Sequence, residues 1–287
     1  YHDRAAEANV RIVHSCGFDS IPADLGTKLV QSSAMAAYDN PCELVRIYLE
    51  DGRGGVSGGT LASAAAMFAA AEHDPLARQT LKNPYSLAPS GERTGVDSGE
   101  QRGPRRDPLR SLWTAPSPMA AVNERVIRRS NALLGYPWGR EFRCREVVPT
   151  DRGVGGVLAA GGIAAGLALG TAAMSVRPLR AGLQRFVFPD PGDGPSREEI
   201  ENGHFTVRVI GRGTTAAGPF TVACEIGAAQ DPGYGATAKL LGESAMCLLR
   251  DDAADSLAGG ILTPASGIGD PLADRLRGAG LTVKIDE

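Results

Sequence analysis

A short apolar run that ends at a glycine and passes at once into a helix constrains this chain more than any other stretch. It reads His14-Ser15-Cys16-Gly17-Phe18-Asp19-Ser20-Ile21-Pro22-Ala23-Asp24-Leu25-Gly26. Arg11 to Cys16 suits a buried strand, Gly17 frees the backbone to turn, and Asp19 or Ser20 can cap a helix from Ile21 to about Ser33. Pro22 falls in the first helical turn, where its missing N–H costs little. In open α/β sheets ligands gather outside the carboxyl ends of strands and against helix N-termini. Cys16, Gly17, Phe18, Asp19 and Ser20 are therefore candidates for ligand contact, with a plain helix cap as the other reading of Asp19 and Ser20.

The remaining elements alternate unevenly. Tyr1 to Val10 reads as the second half of an amphipathic helix, and Cys42 to Glu50 alternates as a strand, with Val45, Ile47 and Leu49 on one face. A glycine cluster, Gly52 to Gly59, leads into an Ala-rich helix over Thr60–Ala71. Asn83 to Pro108 has no period and predicts a long surface loop or a flexible flap. Helix returns over Met119–Leu134, with Val122, Val126 and Ala132 inward; Arg125, Arg128 and Arg129 on it form either a phosphate site or a solvated face. A strand is expected over Glu141–Val148, and a hairpin over His204–Gly211 and Pro219–Ile226 with its turn at Gly211–Gly218. Asp231-Pro232-Gly233-Tyr234 opens a helix whose apolar positions Ala238, Leu241, Ala245 and Leu248 fall on one face. After Gly259-Gly260 come a short strand, Thr263-Pro264, a helix over Asp270–Arg277 and a closing strand over Leu281–Ile285. This order predicts a mixed α+β fold, not a regular βαβ array.

Gly153 to Val176 contains 24 residues without a charge, followed closely by Arg177, Arg180 and Arg185. That length can cross a bilayer, and Gly162, Gly166 and Gly170 recur at the interval that lets two helices approach. Seven Gly and seven Ala make the segment less hydrophobic than a Leu-rich span. Three readings stay open: a transmembrane helix, an interfacial anchor at the plasma membrane, and a helix buried in the core or in a homodimer interface.

Composition removes some functions. A net charge of −3 offers no excess of positive charge for nucleic acid. Five cysteines without C-x-x-C spacing suit a reduced, cytoplasmic protein, and no charged-then-apolar leader is read. The four histidines lie far apart, so no metal site is expected. The dinucleotide fingerprint G-x-G-x-x-G is never completed: Gly153-Val154-Gly155 meets Leu158, Gly211-Arg212-Gly213 meets Ala216, and Gly267-Ile268-Gly269 meets Leu272. Gly55-Val56-Ser57-Gly58-Gly59 matches the G-x-S-x-G elbow of serine hydrolases, which makes Ser57 a candidate nucleophile. Asp51 to Gly54 separates it from the strand, so a glycine-rich loop is the competing reading. Tyr234, among turn-forming residues, is read either as a proton donor or as packing.

Five segments carry a family resemblance: His14 to Gly26, Ser57-Gly58-Gly59-Thr60, Arg128-Arg129-Ser130-Asn131-Ala132-Leu133, Asp231 to Ala238, and Gly260-Ile261-Leu262-Thr263-Pro264-Ala265. In order along nearly the whole chain they resemble the saccharopine dehydrogenase-like oxidoreductases, and within them the trans-acting enoyl reductases of bacterial lipid and polyketide synthesis. The resemblance implies a Rossmann domain of which residues 1–33 are the C-terminal remnant, and a mixed α+β substrate domain over 34–287. It implies NADPH-dependent reduction of an acyl chain held on a separate synthase. Cys16, Gly17, Phe18, Asp19 and Ser20 would meet the nicotinamide end of the cofactor, with Asp19 acting by hydrogen bonds. Ser57, Gly58, Gly59, Thr60 and Tyr234 are the implied candidates for substrate contact. Because the fingerprint is missing, this chain alone is expected to bind NADPH weakly. A non-catalytic membrane-associated or binding module is the alternative, and a serine hydrolase the third.

Overall fold

The computed structural model of the protein describes residues 1–55, 58–190, 194–250 and 258–286. In chain order it forms α1 (His2–Glu7), β1 (Arg11–Val13), α2 (Ile21–Tyr38), β2 (Leu44–Arg53), α3 (Gly58–His73), α4 (Pro75–Lys82) and β3 (Arg105–Arg106). Next come β4 (Trp113–Pro116), α5 (Ala120–Leu133), β5 (Arg143–Pro149), α6 (Val154–Ser175), α7 (Arg177–Phe186) and α8 (Arg197–Glu201). The rest is β6 (His204–Thr215), β7 (Gly218–Ala228), a π-helical turn (Pro232–Ala236), α9 (Thr237–Arg250), β8 (Gly260–Leu262), α10 (Pro264–Gly267), α11 (Pro271–Gly278) and β9 (Thr282–Asp286).

The described strands make two sheets. A seven-stranded sheet has the order β3-β4-β5-β2-β6-β7-β9. Only β2 and β5 run parallel in it, Val45 opposite Cys144, while the other neighbours are antiparallel. A second sheet pairs β1 with β8 in parallel, Arg11 opposite Gly260. The fold is thus mixed α/β around a mixed sheet, as the uneven order of elements predicts.

Helix α2 seats the core. Its residues Ile21, Leu25, Leu29, Val30 and Ala34 are buried against β6 and β7, in one cluster with Val45, Ile47, Val209 and Ile226. Gly26 sets how closely it lies: a Cβ there would stand 2.8 Å from Val209 Cγ2. The helix continues past the expected end near Ser33 because Ala34 to Tyr38 contain no breaker; Asp39, left-handed at φ 52°, stops it.

The hairpin also extends further than its glycines suggest. Gly211 and Gly213 stay inside β6, where a Cβ would lie 2.5 Å from Cys42 Sγ at the first and 2.4 Å from Phe220 Cζ at the second. The turn falls instead between Thr215 and Gly218, the latter at φ +124°. Close approach, not turning, explains these two glycines.

Corrections cluster on α5 and the loop before it. The expected flap is pinned by Asp97, whose buried carboxylate takes Arg128 Nη2 at 3.0 Å, Arg145 Nη2 at 3.2 Å and the Cys144 N–H at 3.1 Å. Gln101 Nε2 donates to the Thr114 carbonyl at 2.9 Å. Arg128 meets Glu124 as well, and Arg125 and Arg129 donate to the carbonyls of Leu81 and Leu87. These arginines form neither a solvated face nor an open phosphate site, since each is spent on the folded loop or on β8. Val122, expected inward, is 38 % exposed, and Ile127 takes the core position.

Removing Asp97 leaves Arg128 and Arg145 short of a buried partner. Asp97→Ala is expected to cost about 3 kcal/mol in urea denaturation, more than an exposed ion pair such as Arg197–Glu201 would lose on Arg197→Ala.

Candidate active site

After β1 the backbone runs extended to Ser15, a left-handed residue at φ 60°, and turns at Gly17 into α2. Ser20 is the N-cap residue of α2, yet its hydroxyl does not cap the helix. It donates to Asn123 Oδ1 at 2.9 Å. Asp19 does not cap either: its Oδ1 accepts the Gly17 N–H at 3.0 Å and closes the turn on itself. The capping reading of both residues is therefore replaced, at Ser20 by a tertiary contact and at Asp19 by a local turn.

The Phe18 N–H donates to Thr237 Oγ1 at 3.0 Å, and the Phe18 ring meets Phe205 edge-on at 4.7 Å. Thr237 in turn donates to the Pro232 carbonyl at 2.8 Å. Asp231, fully buried, accepts the N–H groups of Tyr234 at 3.0 Å and Gly235 at 2.7 Å and so holds the π-helical turn. The turn predicted around Tyr234 thus packs directly on the strand–helix junction.

Beneath Phe18 lies a cavity of about 20 Å³, lined by Pro22, Ala23, Ile47, Leu49, Met119, Asn123, Glu146 and Val207 as well. That is room for about one water molecule. Its polar wall is built by one helix, α5, and one strand, β5, with Ser117 of the loop between β4 and α5 behind it. Asn123 Nδ2 donates to Glu146 Oε2 at 2.6 Å, and Ser117 Oγ donates to Glu146 Oε1 at 2.6 Å. The Glu146 backbone N–H is held by Glu124 Oε1 at 3.1 Å. A chain Ser20–Asn123–Glu146–Ser117 therefore links the junction to β5.

Burial pushes the Glu146 carboxyl from 4.5 up to about 7, with the nearby Glu124 charge adding to the rise; Ser117 and Asn123 act against it. Burial also raises Asp19, and it pushes Asp24 up to about 6 against bonds from Ser130 and the Ala265 N–H. Cys16 is pushed to about 11 by burial, so it is a neutral thiol, not a nucleophile, near pH 7.

The residues singled out from sequence separate into two groups. Cys16, Gly17, Phe18, Asp19 and Ser20 lie together at the junction, and Tyr234 is half-buried on the turn that Thr237 joins to Phe18. The glycine loop before α3 reaches that turn too, since a Cβ on Gly54 would stand 2.6 Å from Pro232 Cδ. Gly58 lies apart, against the backbone of Pro189 and Asp190, and Gly59 and Thr60 are exposed at the start of α3. Ser57, the candidate hydrolase nucleophile, lies outside the described residues. No group of three or more His, Cys, Asp or Glu able to hold a metal occurs among the described residues.

Asn123, Glu146 and Thr237 escaped the sequence reading. Only Glu146 left a signal: period two on β5 sets it on the same buried face as Cys144, an acid at an inward position.

No protein-family model matches the chain. It is 37 % identical over 292 residues to a protein of Mycobacterium tuberculosis strain H37Rv whose name assigns it provisionally as a trans-acting enoyl reductase. It is 35 % identical over 295 residues to the trans-acting enoyl reductase of Mycobacterium bovis strain BCG, and 36 % over 298 residues to that of Mycobacterium ulcerans. Each comparison spans 99 % of this chain and 69 % of the relative.

The Glu146 assignment makes a pH prediction. A carboxyl whose folded value is raised stabilises the fold fully below its ordinary value of 4.5, and the contribution is lost as pH climbs through about 7. Denaturation midpoints should fall between pH 5 and pH 8, with about 3 kcal/mol of the change belonging to Glu146. In Glu146→Gln that part of the slope should vanish.

Proposed function

The chain belongs to the trans-acting enoyl reductase family, and from that membership we propose that it saturates the carbon–carbon double bond of an enoyl thioester carried on a separate synthase in lipid or polyketide synthesis. In this reading the nearest wider kinship is with saccharopine dehydrogenase-like oxidoreductases, and NADPH is the cofactor. Residues 1–33 are assigned to the cofactor side and 34–287 to the substrate side, with β8 returning beside β1. The reaction takes place in the cytoplasm, a setting that suits five buried cysteines, none of them in a disulfide.

The observation that carries the mechanism is the buried acid of the one-water cavity. Enoyl reduction adds a hydride at the β carbon and a proton at the α carbon, while NADPH becomes NADP⁺. Cys16 to Ser20 would hold the nicotinamide end of the cofactor, which supplies the hydride. The fit rests on polar groups clustered at the carboxyl end of β1, above all the partly buried Asp19 carboxyl. Glu146 is the carboxyl that lines the cavity and keeps its proton up to about pH 7, so it supplies the α proton through the one water molecule that the cavity has room for. Ser20 fixes the Asn123 amide through Oδ1, which turns Nδ2 toward Glu146 and holds the acid in place. Phe18, Ile47, Leu49 and Val207 keep bulk water away from the proton in transit.

The test uses the complete natural protein that carries this chain, an enoyl thioester and NADPH, with absorbance reporting cofactor oxidation. Glu146→Gln keeps both contacts, its Nε2 donating to Ser117 Oγ and its Oε1 accepting from Asn123. It should lower kcat by about a hundredfold or more while KM changes little. Ser20→Ala should lose less, about tenfold, because it only loosens the Asn123 amide. A wild-type kcat in Glu146→Gln removes the acid assignment, and a wild-type protein that oxidises no NADPH with any enoyl thioester removes the reductase reading itself.

A further inference from the structure

The longest uncharged segment forms a helix on the surface. α6 carries no charge over its 22 residues, yet only Gly156, Ala160, Ala164 and Met174 are buried, where it packs on β4, α3 and α7. Its outer side leaves Leu158 70 % and Leu169 72 % exposed, with Gly162, Gly166 and Gly170 bare between them. α7 follows directly after Val176. Leu179 and Val187 are exposed, Phe186 is 80 % exposed, and the exposed Arg177 and Arg185 stand beside them. From residue 152 to residue 189 the sequence has Arg152, Arg177, Arg180 and Arg185 and not one Asp or Glu.

We propose that the α6–α7 face docks on an anionic lipid surface as a peripheral anchor. An apolar helix joined to a basic, amphipathic one is the arrangement that places aliphatic and aromatic side chains at the acyl boundary while guanidiniums reach lipid phosphates. Two further observations choose this occupant over its rivals. The helix cannot cross a bilayer without stripping its buried residues from β4 and breaking the bonds of Arg180 to Glu72 and to the Met174 carbonyl, both at 2.8 Å. A second copy would need a self-complementary patch, because a two-fold contact sets the same surface against itself. Here that surface bears exposed cations with no acid on the same segment to answer them. Anionic headgroups supply the missing charge, and acyl chains cover the apolar surface. This face is independent of Glu146 and of the reductase reading.

The test is flotation with vesicles of phosphatidylcholine alone and of phosphatidylcholine mixed with phosphatidylglycerol. The protein should float with the anionic vesicles, be released by high salt, and bind the neutral vesicles far more weakly. Arg177→Glu with Arg185→Glu should weaken anionic binding roughly a hundredfold. Leu158→Asp with Leu169→Asp should abolish it, and all four positions are exposed, so melting temperatures should stay unchanged. The proposal fails if the wild type remains in the soluble fraction with anionic vesicles, or if the Leu158→Asp and Leu169→Asp protein binds as well as wild type. It fails equally if sedimentation without lipid shows a dimer that these Asp substitutions split, for then a second copy covers the face.

Discussion

Helix α5 buries polar side chains on almost every side, and the rest of the architecture is arranged to pair them. Asn123, Glu124, Arg125, Arg128, Ser130 and Asn131 are all buried. An unpaired charge in such a place costs several kcal/mol, so each group requires a partner from a different element. Arg128 and Glu124 take the pinned loop and β5 through Asp97 and Arg145. Ser130 donates to Asp24 of α2 and contacts Thr263 at the start of α10. Asn123 joins Ser20 to Glu146.

Those pairings place the candidate site at a seam. The small parallel sheet and the large mixed sheet share no strand, and α10 joins β1 of the small one to α2 and α5, which pack on the large one. The Phe18 junction hangs from the small sheet, while Glu146 stands on the large one. The acid is therefore presented to the junction by helix α5 and not by its own strand alone. A carboxyl in that position is buried among α2, α5 and the strands of the large sheet, which is why it is pushed up to about 7.

The same logic separates two kinds of apolar surface. Around α2, apolar side chains meet others across the sheet and form the core. On α6 three of the four buried residues, Gly156, Ala160 and Ala164, are small, while Leu158 and Leu169 lie outward, unlike a helix that belongs to a core. The small inward residues bring the helix close to β4, and the outward leucines are the ones offered to the proposed lipid surface.

The amino-acid sequence by itself determined the local elements. Apolar alternation placed β2, β5 and the β6–β7 hairpin, the apolar run with Gly17 and Pro22 placed the β1–α2 junction, and the uncharged stretch placed α6, because these signals depend only on nearest neighbours and on period. The mixed fold class followed from their order. The tertiary structure alone decided what the polar residues do. Ser20 looked like a helix cap, and Arg125, Arg128 and Arg129 like a solvated face or a phosphate site, because each local reading satisfies its polar atoms at no distance along the chain. Asn123 and Glu146 stand 103 and 126 residues from Ser20 in the sequence. No periodicity links residues so far apart, and only the burial of α5 among β5, α2 and α10, with its demand that every buried polar group find a partner, brings them into one site.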